Sequence, residues 1–99
     1  MTDASILESV MNSVDLVIHC AGLKSVEESE KFPEKYHLVN YVGTQTLLNA
    51  MKNAGTRNLI FASTAAVYGN SVTSPISESS NPIPVSVYGK TKLEAEALI

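Results

Sequence analysis

From Ala4 to Met11 the apolar residues fall at positions 6, 7, 10 and 11. That is the spacing of a helix with one buried stripe, and Thr2 and Asp3 ahead of it supply capping side chains. The period then changes. Val14 to Gly22 is a short, apolar, β-branched run closing on Ala21-Gly22, which predicts a strand buried on both faces, as in parallel sheets. Residues 24–35 are polar and charged and are broken by Pro33, so an exposed loop holding a helical turn is expected. From Tyr36 to Asn53 a long helix is expected, with Leu38, Val39, Val42, Thr46, Leu47, Ala50 and Met51 as its inner stripe and Ala54-Gly55 as its end. Gly43 in its middle costs about 1 kcal/mol against alanine and points to close packing there. Asn58 to Ser63 predicts a second buried strand. Thr64 to Asn70 and a polar loop with Pro75, Pro82 and Pro84 follow it. A last helix, carrying Tyr88 and Lys92, is expected to run through Ile99. Helix and strand alternating with connections of this length predict an α/β fold: a parallel sheet of two core strands with right-handed crossovers and flanking helices, an incomplete doubly wound domain.

Composition narrows the classes. Ninety-nine residues allow one small domain, and 44% hydrophobic with 17% charged residues is the balance of an ordinary globular chain. A net charge of −3 and a pI near 5.2 speak against nucleic acid and anionic membrane surfaces as partners. The longest aliphatic run, Leu16-Val17-Ile18, is far short of a membrane span. Met1-Thr2-Asp3 opens without a basic region, so no signal peptide is expected. The single cysteine, Cys20, excludes an internal disulfide and fits a reducing, cytoplasmic setting. No metal site is expected, since His19 and His37 stand isolated from each other and from carboxylate clusters.

Candidate chemistry lies in Tyr88 and Lys92. Four residues along a helix is just over one turn, so phenol and ammonium project from one face. A cation beside a phenol favours the phenolate, which a tyrosine needs to accept a proton near neutral pH. The pairing is not a habit of the composition, because Asn40, Gln45 and Val72 stand four places after the other tyrosines. In open parallel sheets ligands bind at the carboxyl ends of strands. One such end offers Cys20, Ala21, Gly22 and Lys24. The other offers Ser63 and Thr64, with hydroxyls for a polar substrate group. Singly, each feature has an ordinary structural reading: a turn, a helix cap, a solvated charge, a half-buried ring. Their joint occurrence, with Tyr88 placed 24 residues after Thr64, favours a site.

Read together, His19-x-Ala21-Gly22, Asn40-x-x-Gly43-Thr44, Ser63-Thr64-x-x-Val67-Tyr68-Gly69 and Tyr88-x-x-x-Lys92 resemble the extended short-chain dehydrogenase/reductases that act on nucleotide sugars. This is the NAD-dependent epimerase/dehydratase family. The resemblance covers nearly every residue from Asp15 to Ile99. Gly22 to Ser29 and Thr64 to Gly69 are most similar to the branch that interconverts UDP-glucose and UDP-galactose. It implies a Rossmann-like sheet and NAD as cofactor. It implies Tyr88 as the base at the sugar 4-hydroxyl, Lys92 as the group that lowers its pKa and meets the nicotinamide ribose, and Thr64 as the holder of the 4-oxygen. Cys20, Ala21, Gly22, Lys24, Ser63, Tyr88 and Lys92 would line the cofactor, and Asn40 would support that site. Hydride would leave C4 for NAD, the 4-keto sugar would turn over, and hydride would return to the other face. The related dehydratases carry an Asp-Glu pair after the threonine, where this chain has Ala65 and Ala66.

The glycines at 22, 43, 55, 69 and 89 are too scattered for a phosphate-binding loop. The expectation is therefore the central part of an NAD-binding domain, without its first Gly-rich unit or the substrate lobe, and inactive alone. A homodimer is compatible with the longer protein. Another NAD(P)-dependent nucleotide-sugar epimerase, dehydratase or reductase, and a degenerate piece serving only as an interaction module, stay open.

Overall fold

The computed structural model describes residues 2–70 and 74–99; part of the expected polar loop, residues 71–73, lies outside the described residues. Helix α1 (Ala4–Met11) begins at Asp3, whose carboxylate accepts from the N–H groups of Ser5 and Ile6. Strand β1 (Leu16–His19) follows, then α2 (Val26–Lys31) and α3 (Pro33–Tyr36). A π-helical segment (His37–Val42) leads into α4 (Gly43–Ala54), which closes on Gly55 at φ 77°. Strand β2 (Asn58–Phe61), a 3₁₀ turn (Ala65–Tyr68) and α5 (Val87–Glu96) complete the order.

β1 and β2 pair in parallel, with Leu16 opposite Asn58 and His19 opposite Phe61. Strand alternation sends Val17, His19, Leu59 and Phe61 to one face. That face meets the helices: Val17 and Leu59 pack on the core of Met11, Leu47, Ala50 and Met51 that α1 and α4 contribute. The other face carries Leu16, Ile18 and Ile60, with Ile18 62% and Ile60 55% exposed. The expectation of strands buried on both faces is thereby corrected, because the described helices cover a single face.

Three further expectations change. The stretch expected as an exposed loop, 24–35, folds into α2 and α3. Ser25 caps α2 by accepting from the Glu28 N–H at 3.1 Å, and Pro33 opens α3 where its missing N–H costs nothing. The long helix expected over Tyr36–Asn53 is instead α3, the π segment and α4 end to end. In the π segment the Gly43 N–H reaches back five residues to the Leu38 carbonyl. One residue added to a turn rotates the preceding helix against the rest, so Leu38 points outward at 51% exposure while Asn40 is buried. The last helix stops at Glu96 rather than Ile99.

Candidate active site

The start of α5 is fixed by three hydroxyl and carboxylate acceptors on its first N–H groups, the ones a helix leaves unpaired. Val87 N–H donates to Glu30 at 2.8 Å, Tyr88 N–H to Ser29 Oγ at 3.0 Å, and Gly89 N–H to Ser86 Oγ at 3.0 Å. Ser29 is itself held, its hydroxyl donating to the Val26 carbonyl at 2.6 Å. The α2–α3 turn behind it is locked by buried Tyr36, which accepts from the Ser25 N–H at 3.0 Å and donates to Glu28 at 2.9 Å. Burial and then the Glu28 contact push the Tyr36 phenol up. The helix bearing Tyr88 is therefore positioned by α2, an element the sequence reading took for loop.

Tyr88 is half-buried on α5 and Lys92, one turn on, is buried. The Lys92 ammonium donates to the Ala62 carbonyl at 2.6 Å, just past β2, and stands 4.0 Å from the centroid of the Phe61 ring. Burial pulls its pKa below the ordinary lysine value, while Glu96 and Cys20 pull the other way. Thr64 caps the 3₁₀ turn, its hydroxyl oxygen accepting from the Ala66 N–H at 3.2 Å, which leaves the Thr64 O–H to donate outward. α5 packs against this turn so closely that a Cβ on Gly89 would lie 2.6 Å from the Ala66 carbonyl oxygen. The residue after Tyr88 thus touches the turn that Thr64 opens. The backbone of α5 next to Tyr88 is thus packed on the turn that Thr64 opens, just past the carboxyl end of β2.

The carboxyl end of β1 is held to the same place by Asn40. Its Oδ1 accepts from the Leu23 N–H at 2.8 Å, and its amide donates to the Leu23 carbonyl at 3.0 Å and to Thr91 Oγ1 at 3.2 Å. Thr91 donates in turn to the Tyr88 carbonyl at 2.9 Å. Asn40 is 3% exposed and spent on protein partners, so it braces the site rather than lining it. Gly22 is the tight point, since a Cβ there would stand 3.1 Å from Asn40 Oδ1. Cys20, Ala21, Gly22 and Lys24 are exposed around this strand end, and Ser63 is exposed at the other. The Ser63 hydroxyl donates to Glu96, so toward a ligand it offers lone pairs and not its proton.

Sequence reasoning treated His19 as isolated. It is 3% exposed and its Nε2 lies 2.9 Å from Thr44 Oγ1. Because Thr44 gives its only hydroxyl proton to the Asn40 carbonyl at 2.7 Å, the imidazole must be the donor, so Nε2 carries a proton. Burial, then the nearby Lys92 charge, hold the His19 pKa below its ordinary value. The signal was present: His19 and Thr44 both stood in the motifs, though nothing in their spacing said that they pair. Among the described residues, no three metal-ligating side chains cluster, and every buried side-chain nitrogen and oxygen has a hydrogen-bond partner.

A parallel α/β sheet with a Tyr-x-x-x-Lys helix seated at a strand's carboxyl end is a Rossmann-type nucleotide-binding arrangement. Residues 1–99 match the NAD dependent epimerase/dehydratase family over the whole chain, and the protein belongs to that family. It is 42% identical over 98 residues to the UDP-glucose 4-epimerase of Halalkalibacterium halodurans, covering 97% of this chain and 29% of that protein. Among solved structures it is similar to UDP-glucose 4-epimerase from Brucella ovis in complex with NAD, at 39% identity and a TM-score of 0.95, over 98% of this chain and 30% of that one. The Stenotrophomonas maltophila UDP-glucose-4-epimerase with bound NAD and formylated UDP-arabinopyranose is similar at 40% identity and a TM-score of 0.94, with the same coverage of both chains. The chain thus spans about three-tenths of the length of these relatives.

Proposed function

We propose that this chain is the central part of the NAD-binding domain of a UDP-glucose 4-epimerase, carrying its acid–base residues. The observation that carries the reading is the clamp of α5 onto the turn opened by Thr64. It brings the stretch of α5 that carries Tyr88 and Lys92 against the turn that Thr64 opens, and we read their side chains as meeting at one point. Such a point can accept the proton of a sugar hydroxyl at Tyr88 Oη while Thr64 donates to the same oxygen. Lys92, one helical turn after Tyr88, gives an ammonium hydrogen to the Ala62 carbonyl. The residues present fit a dinucleotide. Ala21 and Gly22 leave the β1 end open to a planar ring, and Lys92 has ammonium hydrogens beyond the one given to Ala62 for a ribose hydroxyl. NAD held there would supply the hydride acceptor and donor for C4 of the sugar. Cys20 and Lys24 stand at the rim of the same opening.

UDP-glucose and UDP-galactose are the proposed substrates, from the similarity to UDP-glucose 4-epimerases along nearly the whole chain. Methyl side chains at Ala65 and Ala66 disfavour a dehydratase, which needs acid–base groups beside the threonine. Among the described residues no helix is long and apolar enough to cross a membrane.

The test is a chimera in which residues 1–99 replace the aligned segment of the Halalkalibacterium halodurans enzyme. Coupled assay on UDP-galactose should show turnover that Tyr88→Phe lowers by about 100-fold or more, as for loss of a general base. The 99-residue chain alone should neither turn over nor bind NAD at micromolar concentration. A folded, NAD-loaded chimera without turnover, or a Tyr88→Phe form with near-normal turnover, would refute the reading.

A further inference from the structure

We propose that Phe61 is a positioning residue for Lys92, and that the negative π face of its ring, not its bulk, seats the ammonium at the end of β2. The inference deepens the functional reading above and rests on it. The Lys92 nitrogen lies 4.0 Å from the ring centroid, well inside the range of about 6 Å over which a cation gains from an aromatic face. It donates at the same time to the carbonyl of the next residue, Ala62, at 2.6 Å. Two consecutive residues of β2 and its exit thus grip one buried charge, from below by the ring and from the side by the backbone.

The ring is locked from the other strand. Phe61 stands opposite His19 in the sheet register, and the two rings pack with centroids 5.2 Å apart, tilted by 50°. His19 donates to Thr44 from Nε2, and burial and the Lys92 charge disfavour its charged form, so the ring has a polar neighbour behind it and a cation in front. The charged and titratable groups around Lys92 are His19 on β1, Cys20 just after it, and Glu96 one turn along α5. Glu96, which accepts from the Ser63 hydroxyl, favours the charged ammonium through its field, whereas the ring lies in contact with it. An aliphatic side chain at 61 would fill the same space and offer no negative face. An ammonium so held keeps its remaining hydrogens for the cofactor side.

The experiment replaces Phe61 in the chimera with mono-, di- and trifluorinated phenylalanines, which keep the shape and progressively drain the face. The kcat should fall stepwise by a total of roughly threefold to thirtyfold, the span expected for a partly desolvated cation–π contact. The KM for UDP-galactose should stay constant. Phe61→Tyr, which retains the face, should keep the wild-type kcat, and Phe61→Leu should behave like the trifluorinated form. Unchanged kcat across the fluorinated series would overturn the proposal. So would a Phe61→Leu form that loses melting temperature without lowering kcat. Should the unsubstituted chimera bind NAD and not turn over, the functional reading fails by itself. Titration of the Lys92 ammonium by nitrogen NMR over the same series then decides: a pKa falling with fluorination supports the seat, and a constant one overturns it.

Discussion

Gly89→Ala adds one methyl group beside Tyr88, and two effects of opposite sign compete. Within a helix, alanine is favoured over glycine by about 1 kcal/mol. Against this, the new Cβ would meet the Ala66 carbonyl oxygen at 2.6 Å and the Pro84 Cβ at 3.1 Å. Neither neighbour is the end of a flexible side chain. The Ala66 oxygen is moreover tied to the Gly69 N–H at 3.2 Å, so it cannot swing away alone. For ordinary contact the 2.6 Å gap must widen to about 3.4 Å, and α5 must draw back from the turn that Thr64 caps. Overpacking of this kind costs about 1–3 kcal/mol, so a net loss of up to about 2 kcal/mol remains after the helix gain. Turnover is the more sensitive quantity. A misplacement of about 1 Å between reacting groups can cost about 100-fold, so a shift of most of an ångström should cost about tenfold or more. The expected signature in the chimera is a melting temperature lowered by only a few degrees with kcat down by an order of magnitude and NAD binding kept. A Gly89→Ala form that melts higher and turns over within about twofold of wild type would refute the reasoning, because helix propensity would then have won and the contact would have yielded freely.

Two further outcomes follow from the buried polar groups. Asn40→Ala removes three hydrogen bonds and strands the Leu23 N–H, which should destabilise by about 2–4 kcal/mol in urea unfolding. Asn40→Asp keeps the acceptor for the Leu23 N–H but sets a buried carboxylate oxygen against the Leu23 carbonyl and should lose at least as much; an alanine variant as stable as wild type would remove the brace. The second concerns pH. His19 has a folded pKa below its ordinary value of 6.5, so the unfolded chain takes up the proton first. Stability is held above the ordinary value and lost as pH falls through the lower folded value. His19→Gln, which keeps a donor for Thr44 and cannot titrate, should flatten that part of the stability–pH curve; an unchanged slope would place the effect elsewhere.

The two strands were legible because a β-branched run ending in small residues has few other readings, and Asp3 and Gly55 marked helix ends through local chemistry. Tyr88, Lys92 and Thr64 were legible as chemistry at a fixed spacing. What escaped has a common physical cause. α2 is too short to show an apolar stripe and stands on its Ser25 cap and on Glu27 and Glu28 in its first turn. Those signals lay in Ser25-x-x-Glu28 and in Pro33, but a polar segment without periodicity hid them. The π segment rests on Asn40 reaching Leu23, 17 residues away, and Thr91, 51 away, which no window along the chain contains. The bare face of the sheet was missed for a different reason. Alternation says which side chains share a face, and burial depends on what lies over it.

The site and the apolar core occupy different parts of the molecule and are stabilised differently. Met11, Leu47, Ala50 and Met51 form the core between α1, α4 and the sheet. The site end is built from buried Ser29, Asn40, Thr44, Ser86, Thr91 and Lys92, each with a named partner. Apolar burial is non-directional, so truncation in the core should lower stability and leave the geometry of Tyr88 and Thr64 alone. Hydrogen bonds are directional, and losing one partner leaves the other buried and unpaired. A methyl group lost at Met51 and a hydroxyl lost at Thr91 are therefore unequal changes. The first is felt in the melting temperature, the second in where Tyr88 points.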